Sequence, residues 1–545
     1  VMARNVLWAR GLWWACVLCS LLGFSMSVSA RALDPALHRA SRLLVENRVD
    51  EAQAALRTVE ATHAQDAVFL FLRGDVEFQL GQYEDAKTTL RKVVSENRLT
   101  GAELGEARAL LDLATATADA TRGFAEQTSP SGHFVFRFRK GKDEVLIPHA
   151  GAALDKAWAA LSADLADESD PDAATPKRPV RVEIYEEIAD LSRVSTLSQK
   201  EIETSGTIAL CKWNRLMIVS PKALLRGYPW LDTLTHEYTH YIVSRTGKGQ
   251  VPLWFHEGLA KWMEKRWKGP PGGALSPAME QLLVTAVAKK RLIPFSSMSP
   301  SLAKLPSQED AALAFAQVYT FVEYLHAKAG FPGIRAFVKA LSGGHSEGQA
   351  LRLAYSASFD ELDQNWRASL RNRRVRSKTA LTLEKLHFLK RGNKAGAAEE
   401  NETGDVADPK MRGFVRLGGL LRARGRLSAA AFEYEKAAKE ASTPHPLVSL
   451  KLGRTYLEMG DADHAVAALL PATELYPDWA GLQAALGTAY LKKGEWKKAE
   501  AALDMAISQS PFDPSVHCGL KTVFEQNKSP MMSQASRACA LLSSP

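Results

Sequence analysis

Three residues in one short run have types and spacing suited to chemistry: His236, Glu237 and His240, within LDTLTHEYTHYI (residues 231–242). Leu231, Leu234, Tyr238 and Ile242 recur at helical spacing, which predicts a helix through the run. On that helix the two imidazoles stand one turn apart on one face. The Glu237 carboxylate lies about 100° round from His236 and borders the same face. A mononuclear zinc and its water require this arrangement: two nitrogens on the metal, and a carboxylate that touches the water instead. The pattern H-E-x-x-H arises by chance in roughly one chain of this length in a hundred, which weighs against a merely solvated surface helix.

A catalytic zinc needs a third protein ligand, and the apolar segment LWFHEGLAKW (residues 253–262) offers one. Glu257 falls four residues after Leu253 and three before Ala260, so it shares their inward face. A carboxylate buried there alone would cost several kcal/mol, and a cation is its simplest partner. His256 competes for the ligand role from a direction about 100° away on the helix. Gly258, without a side chain, predicts a close approach of this helix to the HEYTH helix.

HEYTH, then sixteen residues, then EG within W-F-H-E-G-L-A resembles the gluzincin branch of zinc metallopeptidases, and most closely the bacterial peptidase MA-like domains. The resemblance implies that His236, His240 and Glu257 bind Zn2+, that Glu237 is the catalytic base, and that the substrate is a protein or peptide. Residues 314–330 (AFAQVYTFVEYLHAKAG) are similar to the family's helix after the metal site, and 359–370 (FDELDQNWRASL) to its closing helix. By the same likeness Tyr319, in an A-Q-x-Y segment, would donate to the oxyanion. Phe315, Val318, Tyr319, Val322 and Leu325 also form one apolar stripe, in which a tyrosine serves as a core residue bonded through its hydroxyl. Nothing like HExxHxxGxxH follows His240, so the metzincin pattern is absent. The resemblance covers roughly residues 124–376.

The elements that must position these residues form a mixed α/β portion. Residues 133–138 (HFVFRF) and 180–185 (VRVEIY) read as strands, with a helical pattern over 150–165 between them and an acidic, proline-bearing loop over 167–178. GTIALC (206–211) and RLMIVS (215–220), separated by Lys-Trp-Asn, read as a hairpin just before the HEYTH helix. The resemblance implies that this hairpin edges the active-site cleft. Gly330 is the expected stop of the helix bearing Tyr319, and Ser358 with Glu361 is a capping box. His149, His326 and His345 have no partner at metal-binding spacing and are assigned no role.

Repeats flank this portion. Ala52, Leu56 and Val59 return as Ala86, Leu90 and Val93, each displaced by 34 residues, and Asn47 answers Gly81 at the turn. Leu452, Gly453, Tyr456, Ala465, Leu469, Ala472 and Pro477 return as Leu486, Gly487, Tyr490, Ala499, Leu503, Ala506 and Pro511, again displaced by 34. A looser copy precedes them at Leu417, Gly418, Ala430, Tyr434 and Ala437. A 34-residue helix–turn–helix period is the tetratricopeptide (TPR) signature, and such solenoids present surfaces to protein partners.

At 545 residues with 46% hydrophobic and 24% charged residues, the chain is ordinary globular protein of several domains. A net charge of +8 without a basic stripe of interleaved aromatics excludes nucleic acid as an expected partner. The dense basic run at 371–378 reads as a solvated helix end. Arg4 and Arg10, the apolar stretch 12–24 and Val28-Ser29-Ala30 read as a secretory signal peptide over 1–30, with an uncleaved anchor as the alternative. Export to the periplasm or cell envelope follows, with no stable membrane span after cleavage. Of the five cysteines, Cys518 and Cys539 either pair or stay as buried thiols.

The expected architecture is multidomain, α + α/β: a signal peptide (1–30), N-terminal TPR-like repeats (31–122), a zincin-like domain with a mixed sheet and the HExxH helix (123–376), and a C-terminal TPR solenoid (377–545). Two functions fit it. One is a zinc endopeptidase of the bacterial envelope whose repeats recruit substrate or partner. The other is a TPR scaffold or chaperone-like assembly protein whose peptidase domain turns over little. The C-terminal array is expected to fold as a unit separable from the peptidase near 371–378.

Overall fold

A tight hairpin sets the sheet edge nearest the histidines. The computed structural model describes residues 34–166, 174–273, 275–299, 301–302, 305–373, 381, 386–389 and 406–544. The signal peptide, the first part of the acidic loop and most of the basic run lie outside the described residues. In the hairpin, β4 (Ala209–Lys212) and β5 (Arg215–Val219) are joined by Trp213 and Asn214, at φ 52° and 57°. Two successive left-handed residues give the turn whose twist matches its strands. The turn is one residue shorter than the Lys-Trp-Asn expected, because Lys212 still pairs with Arg215.

The sheet runs β1-β2-β3-β5-β4, where β1 is Ala125–Thr128, β2 Phe134–Phe138 and β3 Val180–Tyr185. The central β2, β3 and β5 are parallel, and the outer pairs are antiparallel. Helix α1 (Leu146–Leu165) makes the β2-to-β3 connection that a parallel pair needs. All of β5 is buried, and its alternation explains why: Leu216 and Ile218 enter the core of the central domain, while Met217 and Val219 join the core of the N-terminal helices.

Those N-terminal helices include the pairs Pro35–Val45 with Val49–Arg57 and Ala67–Gln79 with Tyr83–Glu96, turned at Asn47 and Gly81, both at positive φ. A buried ionic cluster ties them to the sheet. Arg215 Nη1 lies 2.9 Å from Glu183 Oε2, Tyr185 donates its hydroxyl to Glu183 at 2.6 Å, and Tyr83 bridges Glu183 and Arg215. Burial pushes the Glu183 carboxyl up, but the guanidiniums of Arg215, Arg181 and Arg137 outweigh it and hold it low. Charges so deeply buried persist only when paired with opposite charge.

The C-terminal helices repeat one contact. A Cβ built on Gly418, Gly453 or Gly487 would stand 2.5–2.7 Å from Tyr434, Leu469 or Leu503, in each case sixteen residues on, and Gly74 meets Leu90 in the same way. This close crossing is what the Gly-to-Leu pattern encoded. Cys518 and Cys539 are joined by a disulfide linking the last two helices, Pro514–Gln526 and Met532–Ser543.

The array has a core of its own and also touches the central domain. Tyr228 N–H donates to the Gln509 carbonyl at 2.9 Å, and Val145 packs with Ala538 and Leu542. Gly258 differs from expectation: its missing side chain admits the Val318 carbonyl, 2.6 Å from where a Cβ would stand. The close approach is therefore to α4, Gln308–Ser342, and not to the HEYTH helix. Gly330, at φ 62° and ψ −165°, breaks α4 as expected, and a second helical stretch resumes at once through Pro332. Among the described residues, no helix is long and apolar enough to cross a membrane.

Candidate metal centre

Helix α2 (Trp230–Thr246) carries His236, Glu237 and His240, and α3 (Leu253–Met263) carries Glu257. The two helices bring three ligand atoms to one point. His236 Nε2 and His240 Nε2 are 3.1 Å apart, and Glu257 Oε2 stands 3.6 and 3.4 Å from them. Ligand bonds near 2.1 Å in a tetrahedral site put ligand atoms about 3.4 Å from one another, so the three atoms fit a single ion. Two imidazole nitrogens and a carboxylate oxygen are also a suitable donor set.

Electrostatics follow from burial and mutual proximity. Burial lowers His236 to about 4, which keeps its lone pair free despite Glu257. Burial also lowers His240, but Glu257 and Glu237 outweigh it and raise the ring overall. Burial raises Glu257, but both imidazoles hold its carboxyl far below the usual range. Glu237 is pushed up to about 7 by burial, with Glu257 adding and His240 and the Cys211 N–H opposing. A carboxylate poised there can take a proton and return it near neutral pH.

His256 sits behind His240 and away from this point, with its Nδ1 2.5 Å from His240 Nδ1. Phe315, from the apolar stripe of α4, packs edge-on against His236 with centroids 6.0 Å apart. Tyr319 is 3% exposed and donates its hydroxyl to the Gly273 carbonyl. That is the core-tyrosine arrangement, and an oxyanion role would require this bond to be released. Glu264 was missed by sequence reasoning: its Oε2 is 3.9 Å from His236 Nδ1 and 2.8 Å from Lys261 Nζ. Glu257, Lys261 and Glu264 share one helical face, a spacing that could have flagged it.

The site opens into a cleft of about 1420 Å³. The outer edge of β4 lines it, unpaired among the described strands. The repeats also reach it. Asn47 of the N-terminal turn lines the cleft and accepts from Arg245 Nη1 at 2.6 Å, at the end of α2. Tyr476, Pro477 and Asp478 line it from a turn of the C-terminal array. The unassigned histidines have structural places: His326 packs on Trp262, His345 bonds the Ala340 carbonyl, and His149 faces His517.

Residues 161–372 match the family model described as the peptidase MA superfamily, and residues 37–98 and 450–514 match a tetratricopeptide-repeat model. The Schizosaccharomyces pombe protein ypp1 is 25% identical over 167 residues, which is 30% of this chain and 19% of that protein. The chain thus spans less than a fifth of that relative's length. Among solved structures, MamA from Desulfovibrio magneticus RS-1 is 18% identical over 27% of this chain and 77% of its own, at a TM-score of 0.22. The TPR domain of Sgt2 from Aspergillus fumigatus is 21% identical over 22% and 81%, at a TM-score of 0.21. The chain carries a peptidase MA superfamily domain, residues 161–372, with tetratricopeptide repeats on either side of it.

Proposed function

We propose that this protein is a zinc-dependent endopeptidase of the bacterial cell envelope, with His236, His240 and Glu257 as the metal ligands and Glu237 as general base. The observation that carries the reading is the convergence of His236 Nε2, His240 Nε2 and Glu257 Oε2 within 4.8 Å of one another. When bound, zinc supplies Lewis acidity towards a substrate carbonyl and lowers the pKa of a water.

The chain's own residues do the rest. The Glu237 carboxylate takes the proton of the attacking water and passes it to the departing amine nitrogen. Helix α2 sets it beside β4, where the Cys211 N–H favours its charged form. The free edge of β4 offers backbone donors and acceptors to an extended segment, which orients the scissile bond along the cleft. Phe315 packs edge-on against His236 and forms part of the cleft wall beside it.

Location in the envelope rests on the signal-like residues 1–30, and recruitment of protein partners on the repeats. The test is zinc content of the purified protein after dialysis, together with hydrolysis of a denatured protein before and after chelation. One zinc per chain and hydrolysis that chelation abolishes are expected. Zinc-free protein, or hydrolysis indifferent to chelation, sinks the reading.

A further inference from the structure

We infer that His256 is the positioning residue for His240, holding that ring in one orientation and one tautomer through a hydrogen-bonded chain from His240 to His256 to Ser244. The inference rests on the reading of His236, His240 and Glu257 as metal ligands.

His240 turns Nε2 towards His236 Nε2 at 3.1 Å and Glu257 Oε2 at 3.4 Å, so Nδ1 is the nitrogen left over. That Nδ1 lies 2.5 Å from His256 Nδ1, with the rings stacked at 4.6 Å and 28°. A neutral imidazole that reserves the Nε2 lone pair for a ligand carries its hydrogen on Nδ1. His240 therefore donates and His256 Nδ1 accepts, which leaves the His256 hydrogen on Nε2. Ser244 Oγ stands 3.3 Å from that Nε2 and can accept it. Of the two tautomers of His256, only this one leaves neither hydrogen against hydrogen nor lone pair against lone pair.

Ser244 lies four residues after His240 on α2, so the chain closes on the helix where it began. Histidines on metals generally give their other N–H to a carboxylate, a backbone carbonyl or water. Here an imidazole takes that place, and it comes from the residue adjacent to Glu257. Neighbours on a helix point about 100° apart. Helix α3 thus delivers Glu257 to the front of His240 and His256 to its back. Among the described residues the other histidine has no equivalent support: Glu264 Oε2 is 3.9 Å from His236 Nδ1, beyond hydrogen-bond reach.

The experiment titrates full-length protein with zinc in competition with a chromophoric chelator, comparing wild type with His256→Leu, His256→Asn and Ser244→Ala. His256→Leu should weaken zinc binding roughly 10–100-fold, as loss of such a support does. In His256→Asn the Oδ1 falls near the former Nδ1 and accepts the same hydrogen, so affinity should return towards wild type. Ser244→Ala should fall between. In zinc-loaded wild type labelled with 15N-histidine, long-range proton–nitrogen spectra should place hydrogens on His240 Nδ1 and His256 Nε2. That spectrum needs no variant, so it decides the matter even where His256→Leu does not fold. Unchanged zinc affinity in folded His256→Leu, or a His256 ring bonded to the metal or carrying hydrogen on Nδ1, overturns the inference alone. A wild-type protein that binds no zinc overturns it together with the reading of the site.

Discussion

The indole Nε1–H of Trp230 donates to the carbonyl of Ile507 at 2.8 Å, joining the first residue of the HEYTH helix to the C-terminal repeats. Trp230 is wholly buried. Beside it, Gly227 at φ 70° admits the Gln509 carbonyl, which would stand 2.3 Å from any Cβ. The repeats therefore anchor the helix that presents His236 and His240.

Trp230→Phe should lower stability by about 1–3 kcal/mol, because the buried Ile507 carbonyl loses its partner. Gly227→Ala should cost more, since it adds backbone strain to the collision. Thermal unfolding of the full chain measures both. Removing the chain from residue 378 onward should expose Trp230 and unfold or aggregate the peptidase domain; a truncated form that melts like the intact protein would show the docking to be incidental.

Glu237→Gln should keep the fold and the metal while slowing hydrolysis by about 10²–10⁴-fold, since an amide cannot accept the water's proton. Glu257→Ala should instead lose metal on dialysis. Matched zinc retention and kcat/KM measurements separate the two roles, and equal retention by wild type and Glu257→Ala removes Glu257 from the site.

Arg215→Met should destabilise the protein by about 3–5 kcal/mol, because Glu183 is left charged and buried without its main partner. Tyr83→Phe should cost less, since Arg215 and Glu183 still meet directly. Denaturant unfolding gives both values, and a loss below 1 kcal/mol for Arg215→Met would mean that water or another cation reaches Glu183.

Acid should loosen the same C-terminal interface. Burial lowers His149 to about 4, with His517 adding, and burial is also the main cause of the lowered His517 value. The His517 Nε2–H is held by the Pro511 carbonyl at 2.7 Å, and Asp513 is the carboxylate acting on it. An unfolded histidine titrates near 6.5, so below that pH the unfolded chain binds more protons. Stability should thus fall as pH drops from about 6.5 towards about 4, and His149→Gln should flatten the fall. An unchanged slope of melting temperature between pH 7 and pH 5 would exclude this pair as its source.

Recurrence and local geometry were legible in the residues themselves. The 34-residue displacement of Gly453, Leu469 and Pro477 encodes helix pairs whose contacts lie sixteen residues apart. The spacing of His236 and His240 fixes two imidazoles on one helical face, and Ser358 with Glu361 fixes a helix start. These features depend only on nearby chain, where periodicity determines direction. Three matters depended on which distant surfaces meet, and no local pattern records that. Gly258 faces Val318 and not the HEYTH helix; His256 turns to the back of His240; Tyr319 spends its hydroxyl on Gly273. The same holds for the cleft, whose wall includes Asn47 and Asp478, 431 residues apart in the sequence and brought together only by the docking of both arrays on the peptidase domain.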